Sequence, residues 1–226
     1  MIVFSNTIKR YPSGFEALRG ISCTVEKGEF VALTGHSGAG KSTMLKLAAG
    51  IETATQGTVL VNGQNLGVLR QSGLCALRRN IGLVFQNHRL LFDRTVFENV
   101  VLPLDIAGLP RADAAKRVRA ALDKVGLLPR EKSNPIALSG GEQQRLCIAR
   151  AIVSRPNILI ADEPTGNLDS DYAASIMALF KSFNQVGVTV LLSTHDEAGL
   201  ARLGCRRIRL SQGKIESGAA MEHVHV

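Results

Sequence analysis

No stretch of the 226 residues stays apolar long enough to cross a bilayer. The longest apolar runs, such as Ile158 to Ala161 and Val188 to Leu192, have the length of a strand, whereas a membrane-spanning helix needs roughly 20 apolar residues. The N-terminus, MIVFSNTIKRY, lacks a basic segment followed by an apolar one and does not read as a signal peptide, so a cytoplasmic chain is expected. Cysteine is scarce and scattered: Cys23, Cys75, Cys147 and Cys205 lie far apart with no CxxC pair, which argues for free thiols in a reducing compartment. His223 and His225 stand in an irregular tail after Gly218, and two ligands without a third make a poor metal site. Aromatic residues make up only 4%, and they do not interleave with basic ones. The net charge of +8 is therefore not arranged as a nucleic-acid-binding arm; Arg70, Arg78, Arg79, Arg117 and Arg206 are spread along the chain. A solvated basic face is the plain reading, and contact with an anionic membrane surface is the functional one.

What is present suits one α/β domain. Hydrophobic residues account for 45% of the chain and charged residues for 20%, enough to build a sizeable core. Strand-like runs are predicted over 2–8, 21–25, 30–34, 58–61, 81–85, 158–161, 188–193 and 207–210. Those near 30, 158 and 188 are continuously apolar, as central parallel strands covered on both faces should be. Between 112 and 125, Ala115, Val118, Leu122 and Val125 form an apolar stripe with charged residues off it. The whole of 88–150 reads as mostly helical, a lobe inserted into the strand series.

Gly35-His36-Ser37-Gly38-Ala39-Gly40-Lys41-Ser42-Thr43 follows the strand 30–34 and precedes a helix-prone MLKLAAG. Glycines let consecutive N–H groups aim at phosphate oxygens, and the helix start adds positive potential. Lys41 supplies a charge for the β- and γ-phosphates, and the Ser42 hydroxyl suits Mg²⁺. Asp162 and Glu163 end the apolar strand at 158, on the side of an open sheet where ligands bind. Asp162 suits Mg²⁺ and Glu163 suits the polarising of a water for attack on the γ-phosphorus. This pair favours hydrolysis over nucleotide storage.

Leu138-Ser139-Gly140-Gly141-Glu142-Gln143-Gln144 opens a second helix. Ser139 and Glu142 satisfy a capping box, yet two glycines in a first turn cost roughly 1 kcal/mol each against alanine. They permit close backbone approach to a ligand at the positive helix end. A stripe of Leu146, Ala149, Ile152 and Val153 faces the core.

LSGGEQQ with the phosphate loop and the acid pair resembles the signature set of the ABC ATPases. Within that resemblance Tyr11 corresponds to the aromatic that stacks on adenine, and Gln86 to the glutamine that senses Mg²⁺ and the attacking water. Asn167-Leu168-Asp169 matches the loop that touches the opposite subunit, and His195 the switch histidine at the γ-phosphate. The family's signature serine and glycines clamp ATP held by the other subunit. The resemblance therefore implies a head-to-tail homodimer with two ATP molecules at its interface and Mg²⁺ as cofactor. It implies a P-loop NTPase fold with a mainly parallel core sheet and an antiparallel β subdomain (1–87 and 156–218), an α-helical signature lobe at 88–155, and a tail at 219–226.

The resemblance spans nearly the whole chain and is strongest to the cell-division ATPases of the FtsE group, on the residues 34–41, 85–96, 121–128 and 186–191. Relatives in lipoprotein release and macrolide efflux share much of these segments and stay open as alternatives. The FtsE group implies a membrane partner of the FtsX type and a peripheral place on the cytoplasmic face of the inner membrane, at the septum. It further implies a signalling role towards peptidoglycan hydrolases, with other cytoplasmic division proteins as possible partners. The apolar segments Arg89-Leu90-Leu91-Phe92 and Val100 to Leu104 are expected to line a groove for a short helix of that partner. Repair-type ABC ATPases would need long coiled coils between Lys41 and Ser139, and translation-associated ones a second cassette. Neither is present in the sequence.

Overall fold

The structure is a computed structural model, and it describes residues 1–166, 168–201 and 203–216. Asn167, His223 and His225 lie outside the described residues. Two sheets organise it. The first is antiparallel, in the order β2-β1-β4-β5, from β1 (Ile2–Arg10), β2 (Glu16–Val25), β4 (Gln56–Val61) and β5 (Gln64–Asn65). The second holds six strands in the order β10-β9-β3-β8-β7-β6. Its members are β3 (Phe30–Thr34), β6 (Ile81–Val84), β7 (Ile158–Asp162), β8 (Thr189–Ser193), β9 (Arg206–Ser211) and β10 (Lys214–Ile215). All its pairings are parallel except the terminal β9–β10 hairpin.

The continuously apolar strands at 30, 158 and 189 are the three central ones, and the pleat divides them between two cores. Ala32, Leu159, Ala161, Val190 and Leu192 face one core, while Val31, Leu33, Ile158, Ile160 and Leu191 face the other. Each large apolar side chain buried this way stabilises the fold by roughly 2 kcal/mol. The second core is closed by α1 (Lys41–Ala48) and by the antiparallel sheet; α2 (Gln71–Arg78) packs beside it through Leu77.

The first core is closed by α6 (Ser170–Gln185) and by three helices lying between β6 and β7. These are α3 (Val96–Ile106), α4 (Arg111–Lys124) and α5 (Gly140–Ile152). Helix α5 is buried nearly all round, because it packs on the sheet as well as on α3 and α4: Leu146, Cys147, Ile148, Ala149 and Val153 are all inside, and Ile152 is half-buried. In α4 the fully buried alanine is Ala114, with Val118, Ala121 and Leu122 following at helical spacing, while Ala115 is half-buried. Two adjacent alanines give an apolar count no way to choose between them, and the 3.6-residue period through Val118 settles it. A short α7 (Glu197–Ala201) precedes β9. Among the described residues no helix is long and apolar enough to cross a membrane.

Candidate nucleotide site and signature helix

The loop between β3 and α1 turns on glycines. Gly35, Gly38 and Gly40 have φ of 132°, 78° and 107°. A Cβ on Gly40 would sit 2.6 Å from the Ala17 carbonyl oxygen, and one on Gly35 would run into the Leu210 carbonyl. The loop is thus seated on β2 and β9 with no room for side chains, while His36, Ser37 and Gly38 form its exposed rim. Ala39 is buried beneath it, and its carbonyl accepts from Gly213 N–H at 3.1 Å. Helix α1 begins at Gly40 with neither a side-chain cap nor an acid in its first turn. Its free N–H groups and dipole are left to an anion.

Lys41 is buried, 6% exposed, and its Nζ donates to the carbonyls of Gly35 (2.7 Å) and His36 (3.2 Å). Burial pushes its ammonium pKa down, while Glu163 and Asp162 pull it back up. Ser42 Oγ donates to Asp162 Oδ1 at 3.0 Å, and Ser193 Oγ donates to the same atom at 2.7 Å. These hydroxyl and carboxylate oxygens beside the phosphate loop are the hard donors Mg²⁺ takes, and Mg²⁺ needs few protein ligands because it keeps its waters. Thr43 is buried at the helix start and pairs with the Tyr11 hydroxyl at 3.3 Å, which places that ring beside the loop.

Glu163 follows β7 with φ of 49°, in the left-handed region, a strain of about 1–3 kcal/mol that surrounding bonds must hold. Its N–H donates to Ser193 Oγ at 2.9 Å, which fixes it. Glu163 Oε1 lies 3.9 Å from Lys41 Nζ, beyond hydrogen-bond reach, and 2.9 Å from His195 Nε2 without hydrogen-bond alignment, so Oε1 remains a buried acceptor without a donor. His195 Nε2 is instead in reach of Lys41 Nζ at 3.2 Å. A buried carboxylate oxygen with spare capacity, next to an ammonium and an imidazole, can accept a proton from a water.

Sequence motifs from four places in the chain therefore converge: Tyr11, the loop 35–43, the pair Asp162 and Glu163, and His195. Gln86 follows β6, beside β7, but makes no hydrogen bond to Ser42, Asp162 or Glu163. Ser139 and its neighbours stand apart. Ser139 caps α5, its N–H donating to Glu142 Oε2 at 2.8 Å and its Oγ accepting from Glu142 N–H at 3.3 Å. The bonds from Ser139 hold the Glu142 carboxyl below the usual range. Gly140 has open space about it. Among the described residues no hydrogen bond or ion pair joins 139–142 to 35–43.

The sequence did not point to Ser193, although a polar residue ending an apolar strand in register with Asp162 is its signal. Nor did it point to the anchors of the segment after Gln86. Arg150 donates to the carbonyls of His88 (2.6 Å) and Arg89 (2.7 Å), and the Cys147 thiol donates to His88 O at 3.3 Å. Asn99, fully buried, accepts from Leu91 N–H and donates to Leu91 O, both at 2.9 Å. Arg89 lies over the Phe85 ring, Leu90 is core and Phe92 is exposed, so the 89–92 segment does not line the expected groove. A groove of about 490 Å³ runs between α2–β6 and the C-terminal half of α3, with Leu102, Pro103, Leu104 and Ile106 on one wall and Arg78 and Arg79 on the other. The loop 88–94 folds back on α5 and α3, where Arg150 and Asn99 satisfy its carbonyls.

A family model for the ABC transporter matches residues 18–166, which include the phosphate loop, the signature helix and the acid pair. The chain belongs to the ABC transporter family. It is an ABC ATPase. Over 222 residues it is 50% identical to the cell division ATP-binding protein FtsE of Escherichia coli K12, covering 98% of this chain and 100% of that one. It is 43% identical to FtsE of Bacillus subtilis, over 95% of this chain and 94% of the relative. Among solved structures, the dimeric post-hydrolysis state of the cassette MJ0796 bound to ADP and Pi superposes with a TM-score of 0.89 at 37% identity, covering 96% and 97% of the two chains. The cbiO1 cassette of Clostridium perfringens gives 0.86 at 29% identity, over 96% and 86%.

Proposed function

We propose that this ABC ATPase is the motor subunit of a bacterial cell-division complex, working as a head-to-tail homodimer on an FtsX-type membrane protein at the septum. The observation that carries the paired arrangement is the separation within one chain: Lys41, Asp162, Glu163 and His195 converge, while Ser139 and Gly140 present an open helix start elsewhere. A second copy of the chain completes each site. Residues 1–87 with 156–218 act as the nucleotide core, and 88–155 as the signature lobe.

In this reading Tyr11 stacks on adenine, while loop 35–43 and Lys41 cradle the phosphates from one side. Ser139, Gly140, Gly141 and Glu142 of the twin cover them from the other. Ser42 and Asp162, with Gln86, would hold Mg²⁺, which when bound would neutralise charge on the phosphates. Glu163 takes the proton from the attacking water, and its strained backbone fixes the carboxylate before substrate arrives. His195 lies where it can donate to phosphate oxygen once Lys41 turns towards the nucleotide. Closure and reopening of the pair drive the membrane partner, and through it signal to septal peptidoglycan hydrolases.

The groove between α2 and α3 is the docking place we assign to that partner, with the basic surface facing anionic lipid. The test is co-purification. The wild-type chain should bring down its FtsX-type neighbour, and depletion should give filaments. Mislocalised envelope lipoproteins with normal division would instead make it a lipoprotein-release ATPase. An Ile106→Glu substitution, on a residue 64% exposed in the groove, should retain basal ATP hydrolysis and lose the partner. Undiminished co-purification would remove the groove from the interface.

A further inference from the structure

Tyr172 lies outside every motif that marks the family, yet it touches one of them. It is the third residue of α6, and its ring lies over the second glycine of the signature helix. A Cβ added to Gly141 would come to 2.8 Å from Tyr172 Cδ1 and 3.1 Å from Cε1. One turn further along the same helix, the Arg145 guanidinium stands 5.2 Å from the ring centroid, within cation–π range. The side chain is 39% exposed and its hydroxyl makes no hydrogen bond among the described residues, so its role is carried by the ring.

Two glycines in the first turn of α5 leave that helix start without side chains to pack. Gly140 has nothing within 4 Å of where its Cβ would be. A glycine-rich turn is held weakly by its own conformational preference. Two features resist its movement: the Ser139–Glu142 capping box and the Tyr172 ring against Gly141.

Tyr172 is itself tied to the hydrolytic end of the chain. Its N–H donates to Asp169 Oδ1 at 2.9 Å, the cap of α6. Upstream, Gly166 N–H donates to the Glu163 carbonyl at 3.1 Å and Leu168 N–H to that of Thr165 at 3.3 Å. A short hydrogen-bonded turn therefore separates Glu163, which acts on this copy's ATP, from the ring that supports the helix start meant for the twin's ATP.

We infer that Tyr172 is a positioning residue: with Arg145 it sets the signature helix against the segment leading from Glu163, so that each copy offers its twin an ordered clamp. This rests on the homodimer reading above and names the element that makes the clamp rigid. Nothing in it requires Tyr172 to touch nucleotide.

The test uses the full chain in a Glu163→Gln background, with ATP-driven dimer formation read by light scattering and nucleotide binding by titration with a fluorescent ATP analogue. Glu163→Gln alone should dimerise with ATP. Adding Tyr172→Ala should weaken ATP-driven dimerisation by about tenfold, the scale on which one aromatic contact of this kind registers. Analogue affinity of the monomer and the melting temperature should be unchanged, and Tyr172→Phe should restore dimerisation fully. Arg145→Met combined with Tyr172→Ala should add little beyond either change alone. Equal dimerisation by Tyr172→Ala overturns the inference, as does a loss of analogue affinity or melting temperature in step with dimerisation. A Glu163→Gln chain that stays monomeric with ATP sinks the homodimer reading first, and the inference with it.

Discussion

The imidazole of His195 and the carboxylate of Glu163 face each other across 2.9 Å, Nε2 to Oε1, without the alignment of a hydrogen bond. The carboxylate is therefore close to a potential partner and still has capacity to accept. Replacing it by an amide of the same shape removes the basic oxygen while keeping the packing. Glu163→Gln should lower turnover by roughly 10²- to 10⁴-fold, the range a general base supplies, with ATP still retained. Phosphate release in single turnover checks this. Turnover within a few-fold of wild type would mean the base lies elsewhere.

Lys41 is held by two loop carbonyls and is poised for an anion before one arrives. Removing a charge-assisted donor costs about 1.5–3 kcal/mol, or roughly 10- to 100-fold in affinity. Lys41→Ala should therefore weaken ATP binding by that factor in calorimetric titration. The melting temperature of the nucleotide-free chain should fall little or rise, since a buried ammonium is lost with its desolvation cost.

The segment behind Gln86 hangs on Arg150, whose two terminal nitrogens reach two successive carbonyls. A lysine has the charge but not the fork. Arg150→Lys is expected to reduce kcat by about tenfold with the Kd for ATP unchanged, because an unanchored loop misplaces Gln86 rather than the phosphate loop. Comparing steady-state turnover with equilibrium binding separates the two. A change in Kd alone would contradict the assignment.

Cys147 gives a pH signature. Burial pushes its thiol pKa up from 9.0 to about 12. Above about 9 the unfolded chain releases this proton while the folded chain keeps it, so stability falls as pH rises through that window. The slope from one such thiol approaches 1.4 kcal/mol per pH unit. Urea unfolding of wild type and Cys147→Ala at pH 8, 9 and 10 should diverge, the variant losing less with pH although less stable at pH 8. Parallel decline would show that the thiol does not remain protonated.

What was legible in the sequence was what is local. The phosphate loop, the acid pair after an apolar strand and the capped glycine helix each announce their chemistry within a few residues. The parallel sheet followed from strands apolar on both faces. The strands it missed are short or polar: β5 and β10 have two residues each, and the first half of β2 reads Glu16 to Gly20. Long-range satisfaction of polar groups was not legible at all. Asn99, Arg150 and Ser193 look like ordinary helix and strand residues until the carbonyls and carboxylate they serve are brought to them by the fold. The groove was half legible: an apolar pattern finds Leu102 to Leu104, but cannot tell that Leu90 turns inward and Phe92 outward.

The anchoring of residues 88–91 to α5 and α3, rather than to the sheet, decides what that stretch of chain belongs to mechanically. Gln86 follows a strand of the core sheet, but two residues later the backbone is held by the helical lobe. The α3 wall of the groove and the carbonyls that Arg150 grips belong to one packed set of helices. A load on that lobe would therefore bear on backbone only two residues from Gln86.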